Sequence, residues 1–188
     1  MIFSEFNYKN NYFYLLILLV FSACSSELDF NQTDNFIAEP VFVSGLVNFT
    51  ADATTLSNLP VNPAGEAQLN SGFEIGDVFG NQFYNENVIR QDLFFKVDNS
   101  VNRIFDLKMI LTDVNSTPLY TIPMTVPAYT GSPNIVTKTE IFENANLDII
   151  KSTSFILVEM TMKSGAPLNS GIINLSSSGT IYFKVVKK

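Results

Sequence analysis

The chain has 188 residues, 46% hydrophobic and only 15% charged, with a formal net charge of −7, one Cys and no His. That length and apolar content suffice for one domain of ordinary size and exclude wholesale disorder, while the acidic balance excludes a general nucleic-acid binder and electrostatic docking on anionic lipid head groups. The lone Cys excludes an internal disulfide, and the missing His excludes Ser–His–Asp and Cys–His catalysis together with His-based zinc sites.

The N-terminal "MIFSEFNYKNN" is weakly positive, with Lys9 and the α-amine set against Glu5. Tyr12 to Val20, continued by Phe21, is an apolar run too short to span a hydrocarbon core of ~30 Å comfortably, but suited to a signal peptide. Ser22, Ala23 and Cys24 follow. A small residue directly before a Cys at the end of such a run resembles the lipobox of bacterial lipoproteins, with Phe21 standing where Leu is usual. The resemblance implies that the Cys24 thiol receives a diacylglyceryl group, that a peptidase cuts ahead of it, and that the new amine is acylated. Each buried methylene contributes ~0.8 kcal/mol, so two or three chains hold where one would exchange. Residues 1–23 are then a lipoprotein signal peptide and 24–39 a lipidated polar tether; a buried thiol or an uncleaved anchor helix is the plainer alternative. "SSELDFNQTDN" suits a solvated tether, and is similar to the short acidic signals that send some Bacteroidota lipoproteins to the cell surface.

From Pro40 the pattern is one of strands, and 40–188 is read as a single β-sandwich domain. "VFVSGLVNFT" (41–50) is rich in β-branched and aromatic residues. "ADATTLSNLPVNPAGEAQLNSG" reads as loop, crowded with Pro, Gly, Asn and Ser. The stretch 73–91 is ambiguous: Phe79, Phe83 and Ile89 suit a helix face, whereas Phe73, Ile75 and Val78 suit a strand. Beyond it Leu93, Phe95 and Val97 alternate with Phe94, Lys96 and Asp98. Phe105, Leu107, Met109 and Leu111 alternate with polar Asp106 and Lys108, as in a strand with one wet face. "DNSVN" between these two runs predicts a hairpin, and "DVNST" (113–117) the next turn. Pro118, Pro123 and Pro127 place "PLYTIPMTV" at a sheet edge, since proline cannot donate to a ladder. "IVTKTEIF" is a further strand, and "ENANLDIIKS" one or two helical turns, with Phe142, Ala145 and Ile149 at helical spacing. Ile156, Val158, Met160 and Met162 share one face of the next strand. A short strand near Ile172 and "GTIYFKVVKK" close the chain.

Seven to eight short strands with turn signals between them and short connections predict an all-β, antiparallel β-sandwich, immunoglobulin-like or similar, with at most one or two short helices.

No phosphate-binding loop is present; the glycines of "GFEIGDVFG" are spaced for turns. Asp92, Asp98, Asp106 and Asp113 offer carboxylates, but on strands these face water or flank turns. Asp113, Asn115 and Thr117 place oxygens at alternate positions, as calcium loops do, yet lack the glycine and distal Glu of such loops. Asx-turn chemistry explains them better, so they are weak metal candidates, and no cofactor is expected. Tyr84, Tyr120 and Tyr129 lie near predicted loops or an edge and are the candidates for stacking on a glycan; rings lying on sandwich faces with their hydroxyls in water are the simpler account.

The lipobox, the polar linker, "NQFYNENVIRQDLFFKVDNSVNRIFDLKMILTDVNSTPLY" and "ANLDIIKSTSFILVEM" are similar to a group of small uncharacterised lipoproteins of flavobacteria-like Bacteroidota. The resemblance covers most of the chain after Cys24 and implies fold and address but no reaction. The expected protein is a non-enzymatic binding or structural module. It is held to the outer membrane by its lipid at Cys24, facing the periplasm or the cell surface, with an envelope protein as partner, no nucleic acid, and the Pro-rich edge at 118–127 as one docking surface. A glycan-binding accessory lipoprotein for polysaccharide uptake is the alternative, and a hydrolase using only carboxylates or a metal the third reading.

Overall fold

The computed structural model describes residues 37–75, 81–132, 134–168 and 170–186, so the expected signal peptide, Cys24 and most of the expected tether lie outside the described residues. Ile37–Val185 form one compact unit. Among the described residues ten strands appear in chain order: β1 (Ile37–Ala38), β2 (Val41–Asp52), β3 (Ala67–Glu74), β4 (Val88–Asn99), β5 (Phe105–Thr112), β6 (Pro118–Val126), β7 (Asn134–Glu143), β8 (Phe155–Met162), β9 (Ile172–Phe183) and β10 (Val185–Val186). Three short helices accompany them, α1 (Ala53–Ser57), α2 (Gln82–Asn87) and α3 (Leu147–Lys151), one more than expected.

Eight of the strands build two four-stranded antiparallel sheets, in the orders β2-β9-β4-β7 and β3-β8-β5-β6. The expected antiparallel sandwich of seven to eight strands is thus present, with two two-residue strands besides. Its connectivity is that of a jelly roll rather than an immunoglobulin domain: most connections carry the chain from one sheet to the other. "DNSVN" is accordingly a corner and not a hairpin, because β4 and β5 belong to different sheets. Asn99 holds this corner. Its Oδ1 accepts from Val101 N at 2.8 Å, and its Nδ2 donates to the carbonyls of Arg103 at 3.0 Å and Pro127 at 2.7 Å. The same Asp/Asn chemistry that turns a hairpin serves a sheet crossing equally well.

The alternation read from sequence is the alternation of burial. Leu93, Phe95 and Val97 of β4, Phe105, Leu107, Met109 and Leu111 of β5, and Ile156, Val158, Met160 and Met162 of β8 all enter one core. The Pro-bearing β6 is an edge strand, as expected. "DVNST" closes the β5–β6 hairpin: Asp113 Oδ1 accepts from Asn115 N at 2.9 Å and Thr117 N at 2.7 Å, and Ser116 takes φ +63°.

Three local expectations change. The presumed loop 51–72 contains α1 and most of β3. The ambiguous 73–91 resolves into both forms, with Phe73 on β3, Phe83 on α2 and Ile89 on β4, while Val78 and Phe79 lie outside the described residues. The last two segments are one twelve-residue strand, β9. Its serine run has a purpose. β2 bulges between Gly45 and Asn48, and buried Ser177 of β9 fills the gap, its Oγ accepting from Val47 N at 2.8 Å and donating to Val47 O at 3.0 Å. A bulge leaves backbone groups off the ladder, and a hydroxyl opposite restores their partners.

The sandwich has two distinct ends. The chain enters β2 at one end, beside Phe183, whose N–H donates to Pro40 O at 3.1 Å. α2, the β5–β6 turn and α3 gather there. The other end carries the β4–β5 corner, α1 and the loops 127–133 and 163–171. Twelve residues of β4 at ~3.3 Å each put about 35 Å between the two ends.

Candidate functional site

The far end holds a cavity of about 450 Å³ lined by α1 (Leu56, Ser57), Val61, Gly65, Met162 and the 164–168 loop, with Arg103 in its wall. Val101 and Arg103 are buried in the corner just ahead of Phe105, the first residue of β5, and Arg103 N donates to Val101 O at 2.8 Å within that turn. It is 8% exposed. Its Nη1 donates to Asn102 O at 3.1 Å. Gly165 lies flat against it, since a Cβ there would stand 3.1 Å from Nη1 and 3.3 Å from Cζ. Among the described residues no ion pair reaches Arg103.

The carboxylates of the neighbouring elements are engaged elsewhere. Asp52 caps α1, its Oδ1 accepting from Thr55 N at 2.7 Å, and that bond holds its carboxyl below the usual range. Glu66 and Asp106 flank Lys163, whose Nζ lies 3.1 Å from Glu66 Oε1 and 3.0 Å from Asp106 Oδ2. The Lys163 ammonium lowers Glu66; Thr125, donating its hydroxyl at 2.8 Å, and then Lys163 lower Asp106; Asp106 and then Glu66 raise Lys163.

This trio gives the protein an acid limb. Both carboxyls are depressed, so their contribution is complete above the unfolded values of about 4 and is lost as pH falls through the lower folded ones. Lys163 is raised, so its share is complete below about 10.4 and is lost as pH rises through its folded value. The urea midpoint should therefore fall in acid, and Lys163→Met should make that fall shallower. Superimposable acid limbs for the two proteins would refute the assignment.

The candidates named from sequence are dispersed. Tyr84 is buried on α2, its hydroxyl donating to Gln91 Oε1, and burial raises its pKa; it cannot offer a ring to a glycan. Asn81 caps α2, its Oδ1 accepting from Tyr84 N at 2.8 Å. Tyr120, on the edge strand β6, is half-buried. It donates to Glu140 Oε1 of β7 at 2.6 Å, which raises its pKa, and packs edge-on against Phe142. Tyr129, also half-buried, lies beyond the opposite end of β6, about 20 Å or more from Tyr120 at ~3.3 Å per strand residue. The three rings form no common platform.

Asp113, Asn115 and Thr117 are joined by the Asx turn described above, and its backbone N–H groups lower the Asp113 carboxyl. Among the described residues no three His, Cys, Asp or Glu side chains gather where a metal could sit. Asp92 is gripped by Arg90, with Nε–Oδ1 at 2.7 Å and Nη2–Oδ2 at 2.8 Å, under the ring of Tyr182. Near the chain-entering end, exposed Phe42, Val43 and Phe83 border a second, apolar hollow of about 390 Å³ with Phe183 at its base. Among the described residues no helix is long and apolar enough to cross a membrane.

Sequence reasoning passed over Arg103. The available signals were that the chain has only two arginines and that one of them stands in phase with the core positions of β5.

No protein-family model and no curated protein matches the chain. Solved structures resemble it in strand arrangement alone. A protein of Parabacteroides distasonis ATCC 8503 described as secreted gives a TM-score of 0.45 at 12% identity, over 65% of this chain and 40% of that one. The VP2 subviral particle of infectious bursal disease virus gives 0.43 at 13% identity, over 80% and 38%. The enzymatically active domain of bacteriophage CBA120 tailspike protein 4 gives 0.37 at 12%, over 82% and 20%. The chain thus spans 40% or less of the length of these structures.

Proposed function

We propose that the chain is a lipid-anchored protein of the cell envelope that binds a protein partner rather than transforming a substrate. Cys24 carries the anchor in the outer membrane, and residues 24–39 are the tether. The observation that supports this best is the disposition of the two ends. The strand that follows the tether starts at one end of the jelly roll, while the cavity of Arg103 opens at the other, about 35 Å away by the length of β4. An apolar hollow with one charged group in its wall has the composition of a binding site. The glycan alternative rests on Tyr120 and Tyr129 alone, and these are far apart.

Cys24→Ala should abolish incorporation of labelled palmitate in cells and leave the precursor uncleaved. Labelling that persists in the variant removes the anchor from this reading. Crosslinking in intact cells should then recover an envelope protein in complex with the wild-type chain.

A further inference from the structure

We infer that the far-end cavity receives a carboxylate carried next to an apolar group. This deepens the binding reading above and does not depend on the anchor.

A guanidinium set in a largely buried wall, with N–H groups still open to the cavity, favours an anionic partner. Arg103 is 92% buried, counted from its 8% exposure, and the structure gives its side chain one backbone carbonyl, that of Asn102. A guanidinium has five N–H donors in a planar fork that matches a carboxylate in two parallel bonds. The protein's own acids near the cavity do not fill that role: Asp52 is spent on the α1 cap, and Glu66 and Asp106 on Lys163. Lys163 therefore acts as a decoy for the local carboxylates and leaves Arg103 open to one from outside.

The walls set the rest of the ligand. Leu56, Val61, Met162, Pro167 and Leu168 are apolar, and about 450 Å³ admits a residue-sized group beside the guanidinium. On the same corner, Asn102 donates Nδ2 to Pro167 O at 3.2 Å, and its Oδ1 is buried without a hydrogen-bond partner. Gly165 keeps the guanidinium in place by lying against its plane.

The test is calorimetric titration of the purified full chain in detergent with N-acetyl-Ala-Ala-Leu as the free acid, the same tripeptide as C-terminal amide, free leucine, and hexanoate. The free-acid tripeptide should bind at least tenfold more tightly than its amide. Free leucine or hexanoate binding as well as the tripeptide would assign the site to that carrier, within the same chemistry. Arg103→Gln should weaken the free acid at least tenfold while leaving the amide unchanged. Val61→Trp, placed at an exposed lip of the cavity, should block both without disturbing the core. Equal binding of acid and amide, or no saturable binding of any of the four by the wild-type chain, would overturn the proposal. Loss of palmitate labelling from Cys24 would leave these titrations unchanged, so failure of the anchor and failure of the pocket are read separately.

Discussion

Phe95→Ala should lower the free energy of unfolding by about 3–5 kcal/mol, the range for truncating a fully buried Phe. Phe95 is 0% exposed on β4, which is hydrogen-bonded on both sides, to β7 at Lys138 and to β9 at Ser177. A strand held from both sides cannot collapse into the space left behind, so the cavity persists and its cost is added to the lost transfer free energy. A domain of this kind is stable by about 5–15 kcal/mol in total, so one such change removes a large share of it. The preceding residue is the control. Phe94 is 37% exposed on the opposite face, and Phe94→Ala should cost about 1 kcal/mol or less. Urea unfolding of the two variants measures both, and similar losses would contradict the burial assignment for β4.

Gly171→Ala should cost about 3 kcal/mol or more, for two reasons that add. Gly171 has φ +109°, a conformation side chains rarely adopt, with strain of about 1–3 kcal/mol. A Cβ there would also lie 2.3 Å from Ser100 O and 2.7 Å from Ser100 C, and these are backbone atoms of the β4–β5 corner that cannot rotate away. The displaced segment is tied at several points. Gly171 O accepts from Ala53 N at 3.0 Å, Ser100 N donates to Ile172 O at 2.9 Å, and Ile172 N donates to Ser100 Oγ at 2.9 Å. Pushing it aside loosens α1 and the corner that bears Arg103. Gly131 separates the two causes: it has nearly the same φ, +108°, with nothing within 4 Å of its Cβ position. Gly131→Ala therefore measures strain alone, and the excess loss in Gly171→Ala measures the collision. Equal denaturant midpoints for the two variants would rule the collision out.

What the sequence made legible was local. Leu93, Phe95 and Val97, or Phe105 through Leu111, declare a face because burial on one side of a strand repeats every second residue. Pro118 and Pro123 declare an edge because each lacks an N–H. Neither signal says which strand lies beside which. The pairing of Val41 with Tyr182 is decided by how all the strands fit together, and turn residues such as Asp98 and Asn99 look the same in a corner as in a hairpin. β3 was hidden because "AQLNSGFE" carries little strand character of its own and is held in place by its ladder with β8. The tyrosines were visible as residues but not as surfaces, since the burial of Tyr84 depends on how α2 packs on the core. Arg103 was legible in principle, by extending the β5 phase two places upstream.

The sheet order also governs when the chain can fold. β9, made almost last, lies between β2 and β4, which are made early. Until Ile172–Phe183 has been synthesised, β2 has no neighbour in its sheet and β4 has only β7. Ladders that join residues as distant as Val41 and Tyr182 bear the full entropy of closing a long loop, which places such topologies among the slow folders, in milliseconds to seconds. In a nascent chain of this design one sheet can pair before β9 is made, while β2 waits for its neighbour until the end.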